Sequence, residues 1–314
     1  MNKSGNHHFT ATIIALVSTG IAGGAALAGG FLDVRFAEAT WNNNPLVIDN
    51  PYWPLRPDAS GIPRTFTYVG ETDDECIIDR ISMDDINYGG TYALTGAAPY
   101  GGLDAVQVVD TEWVFEDLPD GVECSPDLLE SAAADDALQE LTLDWYRQDD
   151  QQNVWYLGEA SRDFGDPCPG LDEVPLGGDL GEFEEECTAG SWEAGIDGDP
   201  DPEEELIGQA GLVVPGDEPI PGEPLTPGTY YMQEVAYEAE DMAKILKLNA
   251  SVDDAYPGTD YEDCRKVKEW TALEPGASVE HKWYCAGPGL VLIEGIGGGP
   301  TEVEALLEID PALP

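Results

Sequence analysis

The stretch Leu141–Gly158, with the sequence LTLDWYRQDDQQNVWYLG, decides the fold class of this chain. Apolar and aromatic residues recur on both sides of Gln148–Asn153, a run that is polar throughout. Segments of this kind are typical of β-strands, and a polar run between two of them is typical of a turn. The sequence therefore predicts a β-hairpin. The two rings of each Trp-Tyr pair are expected on opposite faces of the sheet.

Further segments rich in β-branched and aromatic residues lie on both sides of this hairpin, and they predict a mainly β protein. Two places favour a helix instead. Ser125 followed by Pro126 is typical of the start of a short helix, and the apolar spacing of Asp241–Leu248 is also compatible with a helix. The remaining predicted strands are Arg64–Gly70, Cys76–Met83, Ala105–Val109, Glu112–Phe115, Thr229–Tyr237, Ala243–Val252, Cys264–Leu273, Val279–Cys285, Leu290–Gly295 and Glu302–Ile309.

Four motifs recur in the same order in the two halves of the chain, which predicts an internal repeat. For example, Trp145-Tyr146 in the first half corresponds to Trp283-Tyr284 in the second. We therefore expect two tandem antiparallel β-meanders, each half-barrel or sandwich-like. The expected divisions are a signal peptide at 1–28, an extended segment at 29–64, the first meander at 65–162, a linker rich in Gly, Pro and acidic residues, with a hairpin, at 163–223, and the second meander at 224–314.

The N-terminus is typical of a secretory signal peptide. Lys3 is followed by Phe9–Ala28, an uncharged run of apolar and small residues that ends in Ala-Leu-Ala. A transmembrane anchor is the alternative, because the run approaches the length that spans a bilayer. Either way, the chain is expected outside the cytoplasm, secreted or periplasmic.

Six cysteines follow the signal peptide, and an even number in an exported chain is typical of disulfide bonds. Fifteen pairings are compatible with six cysteines. A hairpin that turns at Glu274-Pro275 would place Cys264 directly opposite Cys285. Together with the order along the chain, this favours the pairs Cys76–Cys124, Cys168–Cys187 and Cys264–Cys285.

The charge is strongly negative, with 13 Lys and Arg against 63 Asp and Glu and a formal net charge of -50. Nucleic acid and anionic membrane surfaces are therefore not expected as partners, because both attract basic residues. The acidic residues are spread along the chain, a pattern that suits a halophilic protein dissolved in concentrated salt.

One acidic run resembles part of a calcium-binding loop. Asp197, Asp199 and Asp201 match its first positions, but Pro202 and Gly208 stand where such a loop needs a glycine and a glutamate. We expect an exposed loop that binds calcium weakly at most, and no other cofactor.

A second acidic group consists of Glu234, Glu240 and Asp241. In a continuous strand Glu234 and Glu240 would share a face, because side chains alternate with a period of two. Two carboxylates on one face can bind calcium or act as an acid/base pair in sugar hydrolysis. In so acidic a chain, the alternative is an ordinary solvated surface.

Trp145, Trp155 and Trp283 are candidates for lining a ligand cleft, and burial in the core is the alternative for each. His281 is the single histidine after the signal peptide. It could act as a general base, but an ordinary cross-strand contact is favoured.

The sequence contains no recognisable catalytic motif: neither G-x-S-x-G, nor H-E-x-x-H, nor a P-loop, nor a Rossmann glycine pattern in a βαβ setting. The favoured function is an exported envelope or extracellular binding module for an apolar ligand, a carbohydrate or an envelope protein. The alternatives are a hydrolase that uses Glu234 or Glu240 and a structural subunit of an extracellular assembly.

Several longer stretches resemble a family of secreted bacterial proteins to which no biochemical function is assigned. The resemblance covers most of residues 50–295 and departs from the family at residues 117–140. It implies an exported, mainly β protein, and it offers no catalytic residues to carry over to this chain. It rests on NPYWPLRP (Asn50–Pro57), LDWYRQDDQQNVWYLGE (Leu143–Glu159), AGSWEAGIDG (Ala189–Gly198), YYMQEVAYEAEDMA (Tyr230–Ala243) and VKEWTALEPG with EHKWYCAGPGLVL (Val267–Leu292).

Overall fold

The computed structural model describes residues 30–41, 47–57, 61–71, 75–83, 90–116, 118–119, 121–164, 187–188, 191–198, 206–237, 239–256, 259–271, 279–296 and 303–310. The expected signal peptide, the Cys168–Cys187 pair, and Asp199 and Asp201 of the calcium-loop match fall wholly or partly outside these residues.

The described chain is mainly β. Its strands are β1 (Thr65–Glu71), β2 (Glu75–Ser82), β3 (Gly90–Ala93), β4 (Asp104–Glu116), β5 (Leu138–Gln148), β6 (Val154–Asp163), β7 (Trp192–Glu193), β8 (Gln209–Val214), β9 (Tyr230–Met232), β10 (Glu234–Val235), β11 (Asp241–Tyr256), β12 (Thr259–Thr271), β13 (Val279–Cys285), β14 (Gly289–Gly295) and β15 (Val303–Asp310).

All fifteen described strands belong to one antiparallel sheet that nearly closes into a barrel. The order is β10-β8-β6-β5-β4-β2-β1-β15-β14-β13-β12-β11-β9, with β3 beside β4 and β7 beside β6. Two meanders are therefore present as predicted, and the pairing of β1 with β15 joins them into a single sheet. The two end strands, β9 and β10, are consecutive in the chain, with only Gln233 between them. This short segment therefore bridges the two edges of the sheet.

The helical prediction after Ser125 is confirmed in a shorter form. A 3₁₀ turn covers Pro126–Glu130 and is followed by α1 (Ala134–Ala137). Both pack on the face of β2 and β4 that points away from the barrel interior. The small cluster there contains Cys76, Ile78, Phe115, Ala134 and Ala137. Asp241–Leu248 is part of strand β11, not a helix.

Disulfides join Cys76 to Cys124 and Cys264 to Cys285, as the sequence predicts. Cys264 and Cys285 are also directly opposite each other in the register of β12 and β13, which confirms the predicted register, and the turn between these strands lies outside the described residues. Among the described residues, no helix is long and apolar enough to span a membrane.

Candidate functional site: an acidic cavity inside the sheet

The curved sheet encloses a cavity of about 290 Å³. Nine carboxyl groups from seven strands line it, together with the ammonium group of Lys282 and several aromatic rings. The nine acidic residues are Asp79, Asp110, Glu112, Glu140, Asp144, Glu159, Glu234, Asp241 and Glu269.

Strand register places the acidic residues of the first meander in rows. Asp79 is opposite Glu112, which is in turn opposite Glu140, across β2, β4 and β5. A second row places Asp144 opposite Glu159. Like charges directly opposite each other destabilise a sheet. The fold therefore retains an unfavourable electrostatic arrangement at this place.

A β-bulge in β6 turns Glu159 into the cavity. In a regular strand Tyr156 and Gly158 would share a face, and Glu159 would point to the other side. Instead the register shifts between Asp144 and Tyr146 of the neighbouring strand, so that Tyr156 and Glu159 both line the cavity. Gly158 has a φ of 133°, a backbone conformation that glycine adopts readily and other residues rarely do.

Tyr156 links two of the carboxyl groups. Its phenol oxygen is within hydrogen-bond distance of both Asp144 and Glu159, and its ring stacks on Tyr146 with a centroid distance of 5.0 Å. A phenol has one proton to donate. When it donates to one carboxylate, the other carboxyl group must be protonated to make the second hydrogen bond.

Burial raises the pKa of many of these carboxyl groups, because desolvation penalises the charged form. The pKa values of Asp79, Asp144 and Glu159 are raised well above their ordinary range by burial and by neighbouring carboxylates. Burial and the charges of Asp241 and Asp144 raise the pKa of Glu234 to about 8. The pKa values of Asp110 and Asp241 are raised in the same direction, chiefly by burial. The cavity thus retains protons at neutral pH.

Lys282 is the cavity's one basic side chain among the described residues. Its amino nitrogen is 3.1 Å from Glu269 and 3.3 Å from Glu280. Burial disfavours its charged form, but Glu269 and Glu280 more than offset this and raise its pKa well above the ordinary value. The hydroxyl of Tyr284 donates a second hydrogen bond to Glu269 at 2.8 Å. Lys282 and Glu269 are therefore already paired with each other.

Trp53 contributes a buried hydrogen-bond donor without a partner. The residue lines the cavity, is 7% exposed, and lies edge-on to the rings of Tyr146 and Tyr284. Its indole N–H has no hydrogen-bond partner among the described residues. A buried donor without a protein partner is uncommon in native structures, and one that borders a cavity is available to a water molecule or a ligand there.

The structure brings Glu234 and Asp241 together in the cavity, and Glu240 is not among the lining residues. The condition for a shared face of Glu234 and Glu240, one continuous strand, is not met, because β10 ends at Val235 and Ala236 pairs with Ala239 in a tight turn. The turn places Asp241, at the start of β11, beside Glu234.

Trp145, Trp155 and Trp283 are buried in the core, and none of them lines the cavity. Trp145 stacks on Tyr92, and Trp155 donates a hydrogen bond to Asp149. The tyrosine that follows each of these tryptophans faces the cavity instead. The expected separation of the two rings onto opposite faces is therefore confirmed.

The other predicted site residues lie elsewhere. Asp197 is exposed and accepts a hydrogen bond from the backbone N–H of Leu206. In the described part of the chain, no three acidic, histidine or cysteine side chains converge as metal ligands. His281 lies outside the cavity, opposite Lys268 on β12 and Glu294 on β14.

Sequence reasoning missed Asp79, Asp110, Glu112, Glu140, Asp144, Glu159 and Glu269. An acidic residue in a strand ordinarily indicates a solvated face, and most acidic residues of this chain fit that rule. One signal was available. Asp144 immediately precedes the Trp145-Tyr146 pair, so it shares the face of Tyr146 and is opposite to Trp145.

Comparison with known proteins gives two structural matches at low identity. One is a "putative exported protein with YmcC-like fold" from Bacteroides fragilis, with 13% identity, coverage of 83% of this chain and 99% of the other, and a TM-score of 0.35. The second is a "putative lipoprotein" from Parabacteroides distasonis, with 8% identity, coverage of 83% and 98%, and a TM-score of 0.32. No protein-family model and no curated protein matches the sequence.

Proposed function

We propose that this chain is an exported binding module whose cavity holds a small organic cation. The observation that carries the proposal is the excess of nine carboxyl groups over one lysine around a single cavity. Two disulfides in the described residues support export, because such bonds persist in oxidising compartments. The volume of about 290 Å³ is at the lower end of the range of small-molecule sites.

A bound ammonium group would offset the repulsion between the carboxyl groups that line the cavity. Carboxyl groups that retain protons because of burial and mutual repulsion would ionise beside a cation. Up to three of them would then accept charge-assisted hydrogen bonds from the ammonium group, which has three N–H donors, and such bonds are stronger than neutral ones. Binding should therefore release protons, and the affinity should increase as the pH rises from mildly acidic to neutral.

The ligand should also carry a hydrogen-bond acceptor. The unpaired indole N–H of Trp53 requires an acceptor, and the rings of Tyr146, Tyr156 and Tyr284 offer flat apolar surface. An amino sugar or an amino alcohol meets both requirements, because it combines an ammonium group with hydroxyl oxygens. This choice narrows the apolar or carbohydrate ligand that the sequence favours to a cationic, hydroxyl-bearing one.

Matched probes test the proposal. Glucosamine and glucose differ at a single amino group, so thermal denaturation with each isolates the contribution of the positive charge. We expect glucosamine to raise the melting midpoint and glucose not to, since a ligand at about 100 times its Kd stabilises by about 2.7 kcal/mol. Equal stabilisation by both sugars would contradict a cation site.

Variants locate the site. Glu234→Gln and Asp241→Asn each remove one cavity carboxylate and should weaken glucosamine binding. Glu240→Gln is the matched control, since Glu240 adjoins Asp241 in sequence and is not among the residues that line the cavity. Calorimetric titration should show a loss in the first two variants and none in the control. The same loss in Glu240→Gln would assign the effect to overall charge.

A hydrolase is the second candidate, and Glu234 is the observation that favours it. A carboxyl group with a pKa of about 8 beside the carboxyl group of Asp241 resembles the acid member of a hydrolytic carboxyl pair. Incubation with aryl glycosides and detection of the released phenol tests this directly. Turnover that Glu234→Gln abolishes, at an unchanged melting midpoint, would place the hydrolase ahead of the binding module.

A further inference from the structure

The few lysines of this chain are concentrated on three neighbouring strands. The sequence has six lysines. Lys282 faces the cavity from β13, and four others lie on the opposite face of β11 and β12. Lys244 is directly opposite Lys268, and Lys247 is directly opposite Lys266. We call the four residues Lys244, Lys247, Lys266 and Lys268 the lysine patch.

Overall solubility does not explain the lysine patch. Two lysine pairs directly across a ladder repel each other and destabilise the sheet. Asp and Glu supply most of the charge of this chain. If solubility were the only requirement, an acidic residue in place of one lysine of each pair would supply it and would also remove the repulsion. Within the described residues none of the four lysines forms an ion pair, whereas Lys282 forms two. Their positive charge is therefore not neutralised within the described fold.

A bulge in β11 brings the fourth lysine to the outer face. In a regular strand Ile245 and Lys247 would share a face, and Ile245 is fully buried. The register shifts between these two residues, and Lys247 becomes exposed opposite Lys266. Bulges are a common means of re-aiming a side chain near functional sites.

The lysine patch adjoins aromatic rings and is braced by a disulfide. The ammonium group of Lys266 lies 4.0 Å from the ring centre of Trp283, and that of Lys268 lies 5.0 Å from the ring centre of Trp270. The Cys264–Cys285 bond joins β12 to β13 two residues from Lys266. His281 is also adjacent, and burial together with the charges of Lys266 and Lys268 lowers its pKa. The result is a positively charged surface that a disulfide braces at one end.

We propose that the lysine patch is a docking surface for an acidic polysaccharide. Four ammonium groups in a two-by-two array, away from the cavity, suit an extended polyanion better than a small ion. The surrounding acidic surface would repel a wide anionic object such as a bilayer, a duplex or a folded acidic protein. A single carbohydrate chain is narrow enough to contact the lysines alone, and Trp270 offers a partly exposed ring for a sugar.

The test uses the folded, disulfide-bonded protein and polygalacturonate as the probe. Calorimetric titration is carried out at the lowest salt concentration at which the protein remains folded. We expect binding of polygalacturonate, none of neutral dextran, and an affinity that falls as salt is added, because each lysine contact with a polyanion releases counterions. Absence of polygalacturonate binding would overturn the proposal.

The variant Lys266→Gln/Lys268→Gln should lower the affinity about tenfold or more and reduce the slope of log affinity against log salt by about two. The control variant Arg35→Gln/Arg56→Gln removes the same charge from two exposed arginines outside the lysine patch and should bind like the wild type. Equal losses in both variants would refute a localised site. Equal or tighter binding of poly-L-glutamate, oligothymidylate or anionic vesicles would refute the assignment to a polysaccharide.

Discussion

At the scale of single residues, glycine and tyrosine determine what the acidic cavity can do. Gly158 permits the bulge that turns Glu159 inward, and Tyr156 then joins Glu159 to Asp144. Without the bulge, one of these two carboxyl groups would face away from the other, and the phenol could serve only one of them. The shared hydrogen bonds therefore depend on a backbone conformation that glycine adopts without strain.

Gly158→Ala should destabilise the protein by about 3 kcal/mol or more. The added methyl group would lie 2.3 Å from the carbonyl oxygen of Trp192, in a backbone conformation with a φ of 133°. Gly222→Ala is the matched control, because Gly222 also has a positive φ of 80° but no atom within 4 Å of the added methyl group. Denaturant unfolding measures both, and an equal loss in the two variants would contradict a steric origin.

At the scale of elements, the alternation of side chains between the two faces of a strand was predictable from the sequence. The bulges and turns that interrupt this alternation were not. The separation of Trp145 from Tyr146 follows from the period of two, and the cysteine register follows from symmetry about a turn. The bulges at Gly158 and after Ile245 and the tight turn at Ala236–Ala239 each shift the alternation by a residue or end it. Such interruptions depend on contacts with neighbouring strands, so the face of Glu159, Lys247 or Asp241 could not be read from the sequence.

The two described disulfides should differ in what they contribute to stability. The chain-entropy model gives about 3 kcal/mol for Cys264–Cys285 and about 4 kcal/mol for Cys76–Cys124, whose sequence separations are 21 and 48. Replacing each pair by alanine and measuring the free energy of unfolding tests this order. A larger loss from the shorter loop would mean that packing around β12 and β13, rather than chain entropy, dominates.

At the scale of the whole molecule, the sequence predicted the β fold, the two meanders and the acidic surface, but not the acidic interior. A strand segment such as Asp79-Arg80 or Asp110-Thr111 has the composition of a solvated face. It becomes interior only because β1 pairs with β15 and the segment from β9 to β10 bridges the remaining edges. That closure joins residues far apart in the chain, and local patterns carry no information about it.

The net charge of -50 should make folding depend on salt. Screening reduces the repulsion between surface carboxylates, and at molar salt the screening length is only about 3 Å. The melting midpoint is expected to rise continuously from low to multimolar KCl. A midpoint that is constant or falls over that range would contradict the halophilic interpretation.

Stability should also fall as the pH rises across the neutral range. The folded state raises the pKa of Glu234 from 4.5 to about 8, so it binds the proton more tightly than the unfolded chain. The resulting stabilisation is complete below the lower pKa and is lost as the pH approaches the higher one. Asp79, Asp110, Asp144, Glu159 and Asp241 act in the same direction.

Two other groups respond differently. Lys282 does not titrate in this window, because its pKa is raised well above 10.5. The lowered pKa of His281 acts in the opposite direction, but only below about pH 6.5, and one imidazole is outweighed by six carboxyl groups. We therefore expect melting midpoints at constant molar salt to decrease from pH 5 to pH 8, and Glu234→Gln to flatten the decrease. Midpoints that rise over this range in the wild type would mean that the cavity carboxyl groups are ionised in the folded state, most simply because a cation already occupies the cavity.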